Sequence, residues 1–205
     1  MNIAIIGTGT VGGTLATKWA QKGHRIFLGV NDTTNFKGAE LLSNPNTSVH
    51  PVKQAVQQAD VILIATPATV AAEVAQSLGD ATGKIIIEAM NVVMGKGPAG
   101  FTNTADAILS STQTKDVVKC FNTTGFNNMF NPVYGNTAID AFVAGDSVKG
   151  KEVAIKLAKD AGFAECYNVG GNDKFFLMEQ FAFFWINLAM MQGLGREIGF
   201  KLLKR

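Results

Sequence analysis

Residues 2–12 read N-I-A-I-I-G-T-G-T-V-G, and this stretch decides the fold. A short apolar run that ends at glycine has the form of a buried strand, and the apolar spacing that resumes at Val11 has the period of a helix. Between them Gly7, Gly9 and Gly12 make a G-x-G-x-x-G at a strand-to-helix junction. Each glycine has its own task there. The first permits the tight turn, the second lets the backbone approach a pyrophosphate, and the third allows helix and strand to pack closely. The helix amides and dipole favour the anion. Gly7, Thr8, Gly9, Thr10, Val11 and Gly12 are therefore the expected cradle of a dinucleotide.

Outward from this turn, short apolar runs alternate with helical patterns, as in parallel-sheet units. Strands are expected at residues 3–6, 25–29, 49, 61–65, 84–87, 117–121, 139–143 and 165–169. Helices are expected at 11–22, 37–42, 52–58, 70–78, 103–109 and 147–161, with Ser147 as the cap of the last. A glycine-rich loop covers 94–100 and a polar loop covers 122–136. A terminal helix is expected over 173–203, packed on the core or on a dimer partner. No linker or internal repeat divides the 205 residues, so the expected architecture is a single α/β domain over 1–205: a doubly wound, mostly parallel Rossmann-type sheet with a long C-terminal helix.

Composition narrows the function classes. Apolar residues make up 47% and charged residues 17%, which supports a substantial core and excludes disorder as the main state. With a net charge of +2 and no basic run, no nucleic-acid footprint is expected. Cys120 and Cys166 are too few for a disulfide scaffold, and a cytoplasmic location is expected. The opening apolar run reads as a strand, and no signal peptide is expected. The apolar stretch 175–191 contains Glu179, Gln180 and Asn187, which argue for a buried or interface helix and against a membrane span. No metal motif, Ser-His-Asp set or paired-carboxylate site can be assembled, and His24 and His50 are expected to be structural.

The end of the second strand selects the dinucleotide, since an acid there binds ribose hydroxyls and an arginine accommodates a 2′-phosphate. The sequence reads Gly29, Val30, Asn31, Asp32, Thr33, Thr34, with Lys37 as the nearest cation and arginine only at positions 25, 196 and 205. Asn31, Thr33 and Thr34 suit a phosphate, whereas Asp32 suits NAD if it points inward and is otherwise a turn cap. The later strand ends add Thr66 and Pro67, Glu88 to Asn91, and Asn122, Thr123 and Thr124, in the crevice where open parallel sheets place their ligands. These groups suit a nicotinamide carboxamide and ribose. Hydride transfer between two redox rings needs positioning and exclusion of water more than a proton relay.

The G-T-G-T-V-G start, the strand end at Gly29, A-T-P at 65–67, V-V-K-C-F-N-T at 117–123 and G-L-G-R-E-I-G at 193–199 together resemble the NADP oxidoreductases dependent on the deazaflavin coenzyme F-420. The segment at 117–123 also resembles the cytosolic NADPH-binding reductase domain of six-transmembrane metalloreductases. The resemblance implies NADPH at the glycine loop and a flavin or deazaflavin stacked on the nicotinamide. By position it assigns Thr8 to Val11 to the pyrophosphate and Val30 and Asn31 to the 2′-phosphate region. Thr66 and Pro67 fall to the adenine-side ribose or diphosphate, and Met90, Asn91 and Asn122 to Thr124 to the nicotinamide side. Val30, Asn31 and Asp32 stand where the family has a Ser-Arg-Arg type clamp, and Asn122 stands where it has a histidine.

The expected function is an NAD(P)H-dependent oxidoreductase, with NADP(H) favoured over NAD(H), that passes hydride to a flavin, a deazaflavin or another small-molecule redox acceptor as a homodimer. The alternative is a non-catalytic NADP(H)-binding redox sensor. A flat cavity beside the nicotinamide marks the first, and a cap of Phe126, Met129 and Phe130 the second.

Overall fold

A computed structural model describes all residues, 1–205. The strands are β1 (Asn2–Ile6), β2 (Arg25–Val30), β3 (Thr47–Pro51), β4 (Val61–Ile64), β5 (Ile85–Glu88), β6 (Val117–Cys120), β7 (Val133–Tyr134), β8 (Thr137–Ala138), β9 (Ala141–Ala144) and β10 (Cys166–Gly170). The helices are α1 (Thr10–Gln21), α2 (Val52–Gln58), α3 (Ala71–Ser77), α4 (Thr104–Ser111), α5 (Phe126–Phe130), α6 (Val148–Ala161) and α7 (Phe175–Ile186). Eight strands form one sheet in the order β10-β9-β6-β5-β4-β1-β2-β3, and β7 and β8 make a separate hairpin. All neighbours are parallel except β6 and β9. The doubly wound, mostly parallel sheet read from the sequence is thus present.

Alternation along the strands builds two cores. Ile3 and Ile5 of β1 face the first, with Leu15 and Trp19 of α1 and Leu157 of α6. Ala4 and Ile6 face the second, with Val56 of α2, Ala75 of α3, Ile108 of α4 and Met178 of α7. The central strands are therefore covered on both faces and read as nearly continuous apolar runs. The chain leaves β1 for β2 on one side and reaches β4 on the other, so the carboxyl end of β1 is the topological switch point.

Three expectations need correction. The loop expected at 122–136 holds α5 and the start of the β7–β8 hairpin. It stays at the carboxyl end of β6 and adds no crossover, so β9 returns antiparallel. The segment expected as a helix at 37–42 is a 3₁₀ turn, Ala39–Ser43, entered through Gly38 at φ +94°. The terminal helix does not run to 203. A 3₁₀ turn at Asn172–Lys174 leads into α7, and a π turn at Asn187–Met191 ends it. Gly193 and Gly195, at φ +74° and +80°, release the chain from helical geometry. The last residues then run back over the fold. The Asp140 amide donates to Phe200 O at 2.9 Å, Trp185 Nε1 donates to Ile198 O at 2.7 Å, and Lys201 Nζ pairs with Asp140 at 2.7 Å.

Buried Phe175, Met178, Glu179, Ala182, Trp185 and Ala189 form one stripe of the terminal helix, while Phe176, Leu177 and Phe184 are about half exposed. No helix is long and apolar enough to cross a membrane. Ser147 Oγ accepts from the Gly150 amide at 2.9 Å, as its place before α6 predicts.

Candidate functional site

The glycine turn separates into positions that serve the protein and one that does not. Gly7 sits at φ +98°, and a Cβ on it would lie 2.5 Å from Ala65 O. A Cβ on Gly12 would lie 1.9 Å from Gly7 O. Both residues are glycine because the backbone turn and the packing of α1 on β1 leave no room. Gly9 is different. It has φ −74° and ψ −160°, extended backbone open to any residue, and a Cβ on it would meet nothing within 4 Å. Gly9 is also the N-cap of α1 and offers no side-chain cap. The first-turn amides of α1 thus lack the acceptor that helix starts ordinarily receive, and empty space lies before them.

Clefts flank the turn on both sides. On one side a cavity of about 380 Å³ is lined by Gly7 and Thr8, by Val30, Asn31 and Asp32 from the end of β2, and by Thr66 after β4. On the other, Thr8, Gly9 and Thr10 line a cavity of about 290 Å³ with Lys37, Phe126 and Phe130. The Thr8 hydroxyl donates to the Lys37 carbonyl and ties the two loops together. Val11 is half-buried on α1 and packs against the first core. Pro67 lines neither cleft; it caps the 3₁₀ turn Ala68–Val70 that leads into α3.

Hydrogen bonds link the remaining predicted residues. Thr66 Oγ1 donates to Met90 Sδ at 3.3 Å, joining the ends of β4 and β5. Asn91 Nδ2 donates to Asn122 O at 2.9 Å, and Asn122 Nδ2 donates to Asn91 Oδ1 at 3.0 Å and to Met178 O at 3.0 Å, joining β5, β6 and α7. Asn122 Oδ1 is buried and has no partner. Phe121 before it adopts φ +65°, uncommon for a bulky side chain. Its ring packs on Trp19 at 5.7 Å and Phe163 at 6.2 Å, which over-determines the turn. Thr123 is buried, and Thr124 Oγ1 accepts from Asn128 Nδ2 at 2.8 Å, which ties Thr124 to α5.

Beneath this rim lies a cluster that sequence reasoning missed. Glu88 and Lys119 are direct neighbours across β5 and β6, and Glu179 reaches them from α7. Lys119 Nζ lies 2.6 Å from Glu88 Oε2 and 2.9 Å from Glu179 Oε1, with the three side chains 0%, 0% and 3% exposed. Nζ also donates to Met90 O at 2.8 Å and Thr104 Oγ1 at 3.1 Å. The carboxylates in turn hold the backbone of the nicotinamide-side loop: Glu88 Oε1 accepts from the Met90 amide, and Glu179 Oε2 from the Val92 amide at 2.8 Å. Burial pushes the Glu88 carboxyl above its ordinary range; the Lys119 ammonium opposes this and the Glu179 carboxylate adds to it. The signal was present as a lone charge in each of three apolar runs, I-I-I-E, V-V-K-C and F-L-M-E-Q-F.

Next to Val92, a further cleft of about 570 Å³ opens between the glycine-rich loop and α7, lined by Met94, Phe101, Phe176, Gln180 and Phe183 among others. The three residues whose closure over the nicotinamide would mark the sensing role lie apart from one another. Met129 is in the first core, and Phe126 and Phe130 line the cavity beside Gly9. His24 bonds Asp160 at 2.9 Å and His50 bonds Ser48 at 2.9 Å, both in structural roles. No group of residues could hold a metal ion.

Residues 2–92 match the family described as NADP oxidoreductase, coenzyme F-420-dependent. The resemblance read from the sequence is borne out over this segment, which holds the glycine turn and A-T-P; the motifs at 117–123 and 193–199 lie beyond it. No curated protein matches the chain. Among solved structures, a candidate F-420-dependent NADP reductase from Arthrobacter sp. FB24 superposes with a TM-score of 0.86 at 24% identity, covering 100% of both chains. A protein of unassigned function from Sinorhizobium meliloti gives 0.71 at 20% identity, covering 100% of this chain and 96% of its own. An imine reductase from Streptomyces aurantiacus gives 0.69 at 14% identity, covering 94% of this chain and 64% of its own. At these identities the likeness carries the fold alone.

Proposed function

We propose that this protein is an NAD(P)H-dependent oxidoreductase that passes a hydride from a nicotinamide to a flat redox ring, a flavin or deazaflavin. The observation that carries this is Gly9, a residue required neither by backbone conformation nor by packing, set before uncapped helix amides at the switch point of the sheet. A pyrophosphate fits that space. The Thr10, Val11 and Gly12 amides donate to it, and the clefts on either side take the flanking groups. Bound there, a reduced nicotinamide supplies the hydride.

The protein's own share is placement. Asn91 and Asn122 hold one another, and Asn122 Oδ1 is a buried acceptor of the kind a carboxamide N–H satisfies. The buried Glu88–Lys119–Glu179 cluster fixes Met90 and Val92 on both sides of Asn91, so the rim is rigid before ligand arrives. The cleft beside Val92, with Phe101, Phe176 and Phe183, has aromatic walls suited to a flat acceptor and favours turnover over the sensing role. No acid–base pair is needed for this chemistry. The outer face of the terminal helix, with Phe176, Leu177 and Phe184 exposed, is the surface a second copy of the chain would cover.

The test follows the loss of nicotinamide absorbance when purified protein is mixed with reduced dinucleotide and flavin, deazaflavin or ferric acceptors. Protein-dependent oxidation with a flat-ring acceptor is expected. Saturable binding without turnover on any acceptor would replace the reductase with a sensor.

A further inference from the structure

The adenosine end of the cleft carries a choice of dinucleotide, and its side chains argue against the one favoured from sequence. Asp32 and Glu73 line the cavity beyond β2 together with Asn31 and Ser77, and no lysine or arginine does. Asp32 is held in place. Its Oδ1 accepts from the Thr34 amide at 2.8 Å, the Thr34 hydroxyl at 2.7 Å and the Asn35 amide at 3.3 Å, while Oδ2 takes no protein donor. The Thr34 hydroxyl and amide hold the Asp32 carboxyl below its ordinary range, so it is ionised at neutral pH. It therefore both caps its turn and lines the cavity. The cations lie elsewhere: Lys37 lines the cavity on the far side of the glycine turn, and Arg25 stands at the opposite end of β2 with its guanidinium 5.6 Å from the Phe27 ring centroid. Val30, the last residue of β2, offers only an apolar side chain.

We infer that this site selects NADH over NADPH, with Asp32 as the specificity-determining residue and Glu73 as a second repulsive charge. A ribose 2′-hydroxyl can donate to a carboxylate, whereas a 2′-phosphate brings a dianion beside two carboxylates with no guanidinium or ammonium to offset it. The inference rests on the proposed dinucleotide site and goes beyond it. It departs from the NADP named in the matching family's description.

The experiment titrates the whole protein with NADH and with NADPH, reading nicotinamide fluorescence, for wild type, Asp32→Asn and Glu73→Gln. Wild type is expected to bind NADH at least about tenfold more tightly, because like charges across an interface are costly. That ratio should shrink as salt is added, since both carboxylates are exposed and screened. Asp32→Asn keeps an acceptor oxygen for Thr34 and Asn35, and should narrow the ratio mainly by strengthening NADPH. Glu73→Gln, at an exposed helix position, should narrow it less and serves if the first variant fails to fold. Equal or tighter NADPH binding by wild type overturns the inference and leaves the dinucleotide site standing, as does a ratio that both substitutions leave unchanged. Failure of both dinucleotides to bind overturns the inference and the proposed function together.

Discussion

The glycine turn and the buried charge cluster both lie at the carboxyl end of the parallel strands, and they shape the candidate site by opposite means. The turn is local: within six consecutive residues, Gly7, Gly9 and Gly12 do the work by lacking side chains. The cluster is assembled at long range, with Lys119 and Glu88 separated by 31 positions and Val92 and Glu179 by 87. One leaves a space, and the other fills a space with charges that have no water to fall back on. The difference teaches where information about a site is stored, since absence of side chains shows in a short motif and mutual compensation of charges does not.

Breaking the cluster should have the largest effect. Lys119→Met leaves two carboxylates buried without a cation and is expected to cost about 3–5 kcal/mol of stability, measured by denaturant unfolding. Replacing all three charges by Leu, Met and Leu should recover part of this, but not all, because the Met90 and Val92 amides would then lack acceptors. The pH dependence has a definite sign. The Glu88 carboxyl titrates above the 4.5 of a free side chain, so unfolding releases a proton across that window and stability falls as pH rises through it. Removing the ammonium extends the window upward. Lys119→Met should therefore be less destabilised at about pH 5 than at about pH 8, and a pH-independent loss would show that the carboxylates are not the cause.

Crowding the turn comes next. Gly12→Ala forces a Cβ against the Gly7 carbonyl and should cost about 1–3 kcal/mol by overpacking, with a matching drop in melting temperature. An unchanged melting temperature would mean that α1 and β1 do not pack as described. Phe183→Ala should have the smallest effect on the fold, since its ring is more than a third exposed. It is expected to raise the acceptor KM about tenfold through lost stacking while leaving dinucleotide affinity unchanged. An unaltered KM would remove the cleft between the glycine-rich loop and α7 from the acceptor's path.

The same contrast governs what could be read from the residues alone. The strands β1 to β6 and the helices α1 to α4 follow from local apolar runs bounded by turn residues, so they were legible, whereas the segment at 37–42 read as a helix and is a 3₁₀ turn. The segment 122–136 was not legible, because α5 is only five residues long and is held by contacts distant in sequence, such as Asn128 Nδ2 to Ile198 O at 2.7 Å. The end of the terminal helix was legible in principle from Gly193 and Gly195, but the apolar run up to Met191 outweighed them. At the site, Gly7, Thr8, Gly9 and Thr66 came directly from the motifs. The placement of Asp32 required knowing which way a turn faces. Lys119, Glu88 and Glu179 each looked like an isolated exception in an apolar element, and only tertiary packing brings them to one another.

The central claim is that the space before Gly9 is kept open for a dinucleotide, and a paired titration of wild type and Gly9→Val with reduced dinucleotide tests it most directly. Because Gly9 has ordinary extended backbone and open surroundings, the variant should melt as wild type does, yet show no saturable binding where wild type saturates. Wild-type affinity in a folded Gly9→Val protein would contradict the account, since the pyrophosphate would then have to lie elsewhere.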